Sequence, residues 1–97
     1  MNEVEFRNWL NQQGTTKKVQ SDILSRLRRI ERELEQCDID VHFDNDKCSS
    51  LLSVFENKGE NKAMKKYPHA NFPVGKYYMS TFRHALKKYI QFRETSR

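Results

Sequence analysis

Residues 16–34 read TKKVQSDILSRLRRIEREL, and the fold class turns on this stretch. Val19, Ile23, Leu27, Ile30 and Leu34 advance by four, four, three and four, the period of an α-helix with one buried face. At roughly 100° per residue these positions fall within about 80° of arc. Lys18, Ser21, Ser25, Arg28, Arg29 and Arg32 gather on the other side, so the helix is apolar in front and basic behind. Thr15 or Thr16 can accept from an orphan amide of the first turn, which starts the helix near residue 17. Local pairs, Asp22 with Arg26, Arg28 with Glu31 and Arg29 with Glu33, are each worth only about 0.3 kcal/mol.

Upstream, Phe6, Trp9 and Leu10 mark a first helix over 3–13 that Gly14 ends by taking the left-handed conformation. Downstream, Ile39, Val41 and Phe43 alternate with polar residues, the pattern of an extended connector. Cys48, Leu51, Leu52 and Phe55 return to helical spacing over 46–57, with Asp44 or Asp46 as cap and Gly59 as stop. Residues 57–79 hold two prolines, two glycines and five lysines without a sustained period. They read as a long basic loop, 58–78, with one helical turn around Ala63 and Met64. The last helix, 79–94, turns Met79, Phe82, Ala85, Leu86, Tyr89 and Ile90 inward and Arg83, His84, Lys87, Lys88 and Gln91 outward. The expectation is an all-α chain, a single domain over 1–97: a small four-helix bundle with helices 3–13, 17–36, 46–57 and 79–94.

At 97 residues there is room for one core, and 36% hydrophobic with 32% charged residues, 3 Gly and 2 Pro describe a globular chain. No apolar run approaches the roughly 20 residues of a membrane helix, and the opening Met-Asn-Glu-Val-Glu-Phe lacks the basic flank of a signal peptide. A cytoplasmic location with no membrane partner is expected, and with it free thiols at Cys37 and Cys48.

Charge divides the chain. Residues 1–56 carry 8 Lys and Arg against 11 Asp and Glu, whereas 57–97 carry 10 against 2, so net −3 is followed by net +8. Tyr67, Phe72, Tyr77, Tyr78, Phe82, Tyr89 and Phe92 lie among those bases, a mixture that points to a polyanion. Lys18, Arg28, Arg29 and Arg32 on the second helix, Lys62, Lys65, Lys66 and Lys76 in the loop, and Arg83, Lys87 and Lys88 on the last helix are the candidate phosphate contacts. Tyr67, Tyr77 and Tyr78 are candidates for stacking on unpaired bases. The plainer alternative is that these lysines only keep a small protein in solution.

Catalytic patterns fare poorly. Asp44 and Asp46 before Glu56-Asn57-Lys58 match the residue types of a Mg²⁺-dependent nuclease, but that pattern wants Glu and Lys on a strand, and the spacing here is helical. Cys37, His42, Cys48 and His69 are zinc-ligand types without a paired half-site. Counted from Asp44 as a calcium loop, Ser49 stands at the glycine position and Phe55 at the bidentate Glu position. No catalytic residue, metal or cofactor is therefore expected, and the chain reads as a non-enzyme.

Phe82, Arg83, Ala85, Leu86, Lys87, Lys88, Tyr89 and Phe92 together resemble the helix that closes the N-terminal core-binding (SAM-like) domain of phage-integrase-type tyrosine recombinases. Phe6, Trp9 and Leu10, and the helix after Thr15-Thr16, suit the same module, and equally a helical N-terminal module of prokaryotic restriction-type nucleases. The resemblance implies DNA clamping through backbone contacts by Arg83, Lys87 and Lys88, with DNA a more natural partner than RNA. No catalytic domain accompanies it, so no recombinase or nuclease activity carries over. The alternative reading is a small phage or mobile-element protein that binds a host protein or ribonucleoprotein of a defence or recombination complex, such as an inhibitor of a bacterial defence system.

Overall fold

Thr16 opens the central helix as its side chain allows: Oγ1 accepts from the Val19 amide at 3.3 Å. In the computed structural model, which describes residues 1–73 and 76–95 and only the backbone of Lys76 and Tyr77, this helix is α2, Lys17–Glu33. It follows α1, Glu3–Gln12, and precedes α3, Ile39–Asp46, and α4, Ser49–Val54. A 3₁₀ turn at Asn57–Gly59, the one-turn α5 at Lys62–Lys65 and the long α6 at Lys76–Thr95 complete the order. The described residues contain no strand, and the fold is all-α.

Among the described residues six α-helices stand where four were expected. Ile39–Asp46 is helical rather than extended because its first turn is satisfied from outside: Asp38 accepts from the Asp40 amide at 2.9 Å and Glu31 from the Ile39 amide at 3.0 Å. Ile39 and Phe43 then share the inward face, one turn apart, while Val41 is 62% exposed. The expected helix over 46–57 is broken at its start by Lys47 and Cys48, both left-handed at φ 55° and 65°. Similar pairs end α2 at Glu35 and Gln36 and follow α4 at Asn57 and Lys58. Each costs a non-glycine residue about 1 kcal/mol, and each turns the chain sharply enough to lay the next element on the core.

Two triads of aromatic rings organise that core along α6. Phe82 meets Phe55 and Phe72 at centroid distances of 5.5 and 5.1 Å, and Phe55 meets Phe72 at 5.3 Å. Further along α6, Tyr89 and Phe92 close around Phe6 at 4.9 and 5.4 Å. Ile23, Leu24, Leu27 and Ile30 of α2 pack beside them with at most 1% exposure. Val19, assigned by its spacing to this stripe, is instead 43% exposed. Gln20 is buried next to it, its amide donating to the Thr15 carbonyl at 2.8 Å and to Asn11 at 3.4 Å, so the α1–α2 turn is sealed by a hydrogen-bonded amide.

The segment expected as a long loop is tied down where it is described. Asn61 caps α5 by accepting from Met64 at 2.8 Å, and its amide reaches back to the carbonyls of Val54 and Glu56 at 2.9 and 2.7 Å. Gly59, at φ 82°, packs so closely on α6 that a Cβ there would lie 3.1 Å from the Met79 sulfur. Phe72 drops into the core at 7% exposure.

Candidate nucleic-acid interface

On α2, Arg29 is three residues past Arg26, so both side chains leave the helix on the same side. Arg29 is committed to the fold. Its Nε and Nη2 donate to the Asn71 carbonyl at 3.2 and 2.6 Å, and its guanidinium lies 5.9 Å from the centre of the Phe72 ring. The returning Asn71 amide donates to Glu33 at 2.9 Å. This clasp holds residues 71–73 beside α2, and the start of α6 closes the far side. Between them runs a cleft of about 240 Å³ lined by Ser25, Arg26 and Arg29 from α2, Tyr78, Thr81 and Phe82 from α6, and Pro73.

Among the described residues no carboxylate lines this cleft. Tyr78 is 48% exposed, and Arg26 makes no hydrogen bond or ion pair within the described residues. None of the three expected local pairs forms among the described residues: Arg28 and Glu31 find remote partners, Arg29 takes the Asn71 carbonyl, and Glu33 takes its neighbour Arg32. Arg28 crosses to Glu3 on α1, and Glu31 turns to the chain's own ammonium group at Met1, 3.1 Å away. A second shallow groove on the far side of Phe72 is walled by Lys65, Tyr67 and Pro68. Residues 70–73 contribute to both concavities, and each pairs a cation with a tyrosine.

The expected phosphate contacts distribute unevenly around this geometry. Arg28 is spent on Glu3, which it holds below the usual carboxylate range through a hydrogen bond. Arg32 pairs with Glu33 at 3.2 Å, and Arg83 donates to the Phe55 carbonyl at 3.1 Å, stitching α6 to the end of α4. Lys18, Lys62, Lys65, Lys66, Lys87 and Lys88 have no such partner among the described residues. Lys65 borders the second groove, and Lys62 and Lys65 face Gly59 and Glu60. Lys88 stands seven residues after Thr81, on nearly the same face of α6 as the first cleft. The side chain of Lys76 lies outside the described residues, as does that of Tyr77.

Arg26 was missing from the sequence-based candidates. Its position at the border between the apolar stripe and the basic back, with Asp22 one turn before it, reads as a local ion pair. Only the approach of α6 turns that border into a wall.

No family model, curated protein or solved structure matches this chain. Its site must be read from its own chemistry.

Around Met1 and Arg93 a cluster of charged groups is absorbed into the fold. The Met1 ammonium contacts Glu31, Asp38 and Asp40, and Arg93 spans Asp40 and Asp44. Burial opposes the ammonium charge, but the hydrogen bonds it donates to Glu31 and Asp38 and the fields of Glu31 and Asp40 prevail and raise its pKa to about 10. Asp44 and Asp46, considered above as metal ligands, serve Arg93 and the Ser50 amide. Among the described residues no three His, Cys, Asp or Glu side chains are grouped to hold a metal ion. Burial lifts the Cys37 thiol to about 11 and the Cys48 thiol to about 12, well away from nucleophilic thiolates at neutral pH. No helix of the described residues is long and apolar enough to cross a membrane.

Proposed function

We propose that this chain is a non-catalytic nucleic-acid-binding domain that meets phosphates through a basic face centred on α2 and α6. The observation that carries this reading is the carboxylate-free cleft in which Arg26 and Arg29 face Tyr78 and Thr81. Guanidinium groups satisfy phosphate oxygens in a planar fork, and an unpaired Arg26 is ready to do so without first breaking an internal bond. Lysines without internal partners around the molecule, Lys65 and Lys88 nearest the clefts, add the sequence-independent attraction that comes from counterion release. DNA is the favoured polymer on this reading, in keeping with the resemblance of the α6 sequence to a DNA-clamping helix. Of the three residues that resemblance carries over, Lys87 and Lys88 are available and Arg83 is engaged by Phe55.

The test is a binding titration with duplex and single-stranded oligonucleotides at roughly 50 and 200 mM salt. If three phosphates are neutralised, affinity falls about 20- to 40-fold between these conditions. Binding that ignores salt, or no binding to either form, rejects the proposal.

A further inference from the structure

We infer that the α2–α6 cleft is a seat for one unpaired nucleotide, so that the domain prefers single-stranded over duplex nucleic acid; this rests on the nucleic-acid reading above and sharpens it. Size comes first. About 240 Å³ is less than the roughly 300–1,000 Å³ of pockets that enclose drug-sized ligands, and it suits one ring system with its attached phosphate. The walls divide accordingly. Tyr78, half-exposed, lines the cleft together with Pro73 and Phe82, and an aromatic ring beside apolar side chains is the kind of surface a splayed base stacks on. Arg26 and Arg29 line the opposite wall, where the phosphate of the same nucleotide would run, and the hydroxyls of Ser25 and Thr81 add hydrogen-bonding groups that are indifferent to base identity.

A duplex cannot use this arrangement. Its bases are stacked inside the helix, and its phosphates follow a convex rail that a narrow cleft between two helices does not track. Only a strand whose bases are free can place a ring on Tyr78 while its backbone meets Arg26. An acidic peptide could match the charge, but only a nucleotide joins a flat ring and a phosphate in every repeating unit. The clasp from Arg29 to the Asn71 carbonyl keeps the wall in place before any ligand arrives, so little ordering accompanies binding.

Fluorescence anisotropy with a labelled oligothymidine of about 12 nucleotides and a duplex of matched length tests this directly. The wild-type chain is expected to bind the single strand at least about tenfold more tightly than the duplex. Tyr78→Ala and Tyr78→Leu are expected to abolish that preference, Tyr78→Phe to keep it, and Arg26→Gln to weaken single-strand binding about fivefold. Leucine keeps the apolar bulk without a ring, so equal losses in Ala and Leu assign the effect to stacking, and thermal melts of each variant exclude unfolding as its source. Equal affinity for both forms in the wild type, retention of the preference in Tyr78→Leu, or parallel losses on both forms in Tyr78→Ala would each overturn the nucleotide seat while leaving nucleic-acid binding intact. Failure of both forms to bind at low salt would overturn the two proposals together.

Discussion

The Tyr89 hydroxyl donates to Asp40 at 2.6 Å, joining α6 to α3 across 49 residues of sequence. The same oxygen accepts from the Asn2 amide at 2.8 Å, so one phenol fixes the entry to α1, the start of α3 and the last third of α6. Burial chiefly, with Asp40 beside it, drives the phenol's pKa upward, so the proton stays on the donor throughout the usual pH range.

Removing that oxygen isolates its worth. Tyr89→Phe keeps the ring against Phe6 and Phe92 but leaves the Asn2 amide and one Asp40 contact without their partner. A loss of about 1–2 kcal/mol is expected in urea unfolding with an unchanged m-value. A variant as stable as the wild type would show that water replaces the phenol at no cost.

Alkaline pH loosens the same corner. The Met1 ammonium is raised from the ordinary 8.0 to about 10, so its contribution is fully present below pH 8 and is lost as pH climbs through 10. Because Asp38 lies in partial contact with solvent, the effect is on the order of 1 kcal/mol. Melting temperatures from pH 7 to 10.5 are expected to fall along this window. Glu31→Gln, which removes an anionic partner, is expected to flatten the fall even though the unfolded thiols still titrate nearby.

The left-handed turn after α3 predicts a gain. Lys47 is exposed at φ 55°, and glycine adopts that backbone without a Cβ clash. Lys47→Gly is expected to stabilise the fold by about 0.5–1 kcal/mol and Lys47→Val to destabilise it by more. Chemical denaturation of the pair gives the sign directly.

Gly59 predicts the opposite. It is left-handed at φ 82° and its missing Cβ would approach the Met79 sulfur to 3.1 Å. Gly59→Ala combines backbone strain with overpacking at the foot of α6, for an expected loss of about 2 kcal/mol. Adding Met79→Ala should recover part of the strain in a double-mutant cycle, whereas strictly additive losses would place the cost in the backbone alone.

The long helices were legible because their evidence is local. Thr16 caps α2, Gly14 ends the first turn region at φ 80°, and Met79, Phe82, Ala85, Leu86 and Tyr89 face inward as their spacing requires. Residues 39–43 misled because an i, i+2 pattern and an i, i+4 pattern share Ile39 and Phe43, and only the distant Glu31 decides between them. The breaks at Lys47–Cys48 and Asn57–Lys58 carry no glycine or proline signal at the residues that bend. The charged surface was legible in kind but not in place. Nothing near Arg28 in sequence announces Glu3, and nothing near Arg29 announces the Asn71 carbonyl, because both contacts exist only once remote elements have docked.

The ring triads along α6 carry a consequence for biosynthesis. Each of them needs Phe82 or the Tyr89–Phe92 pair, so α1 and α2 leave the ribosome with only each other to cover their apolar faces. About forty residues separate the end of α2 from the start of α6, an interval of roughly 2–8 s at bacterial and eukaryotic elongation rates of about 5–20 residues per second. Through those seconds the Ile23–Ile30 stripe waits without the rings of α6, and the core stays incomplete until that helix arrives.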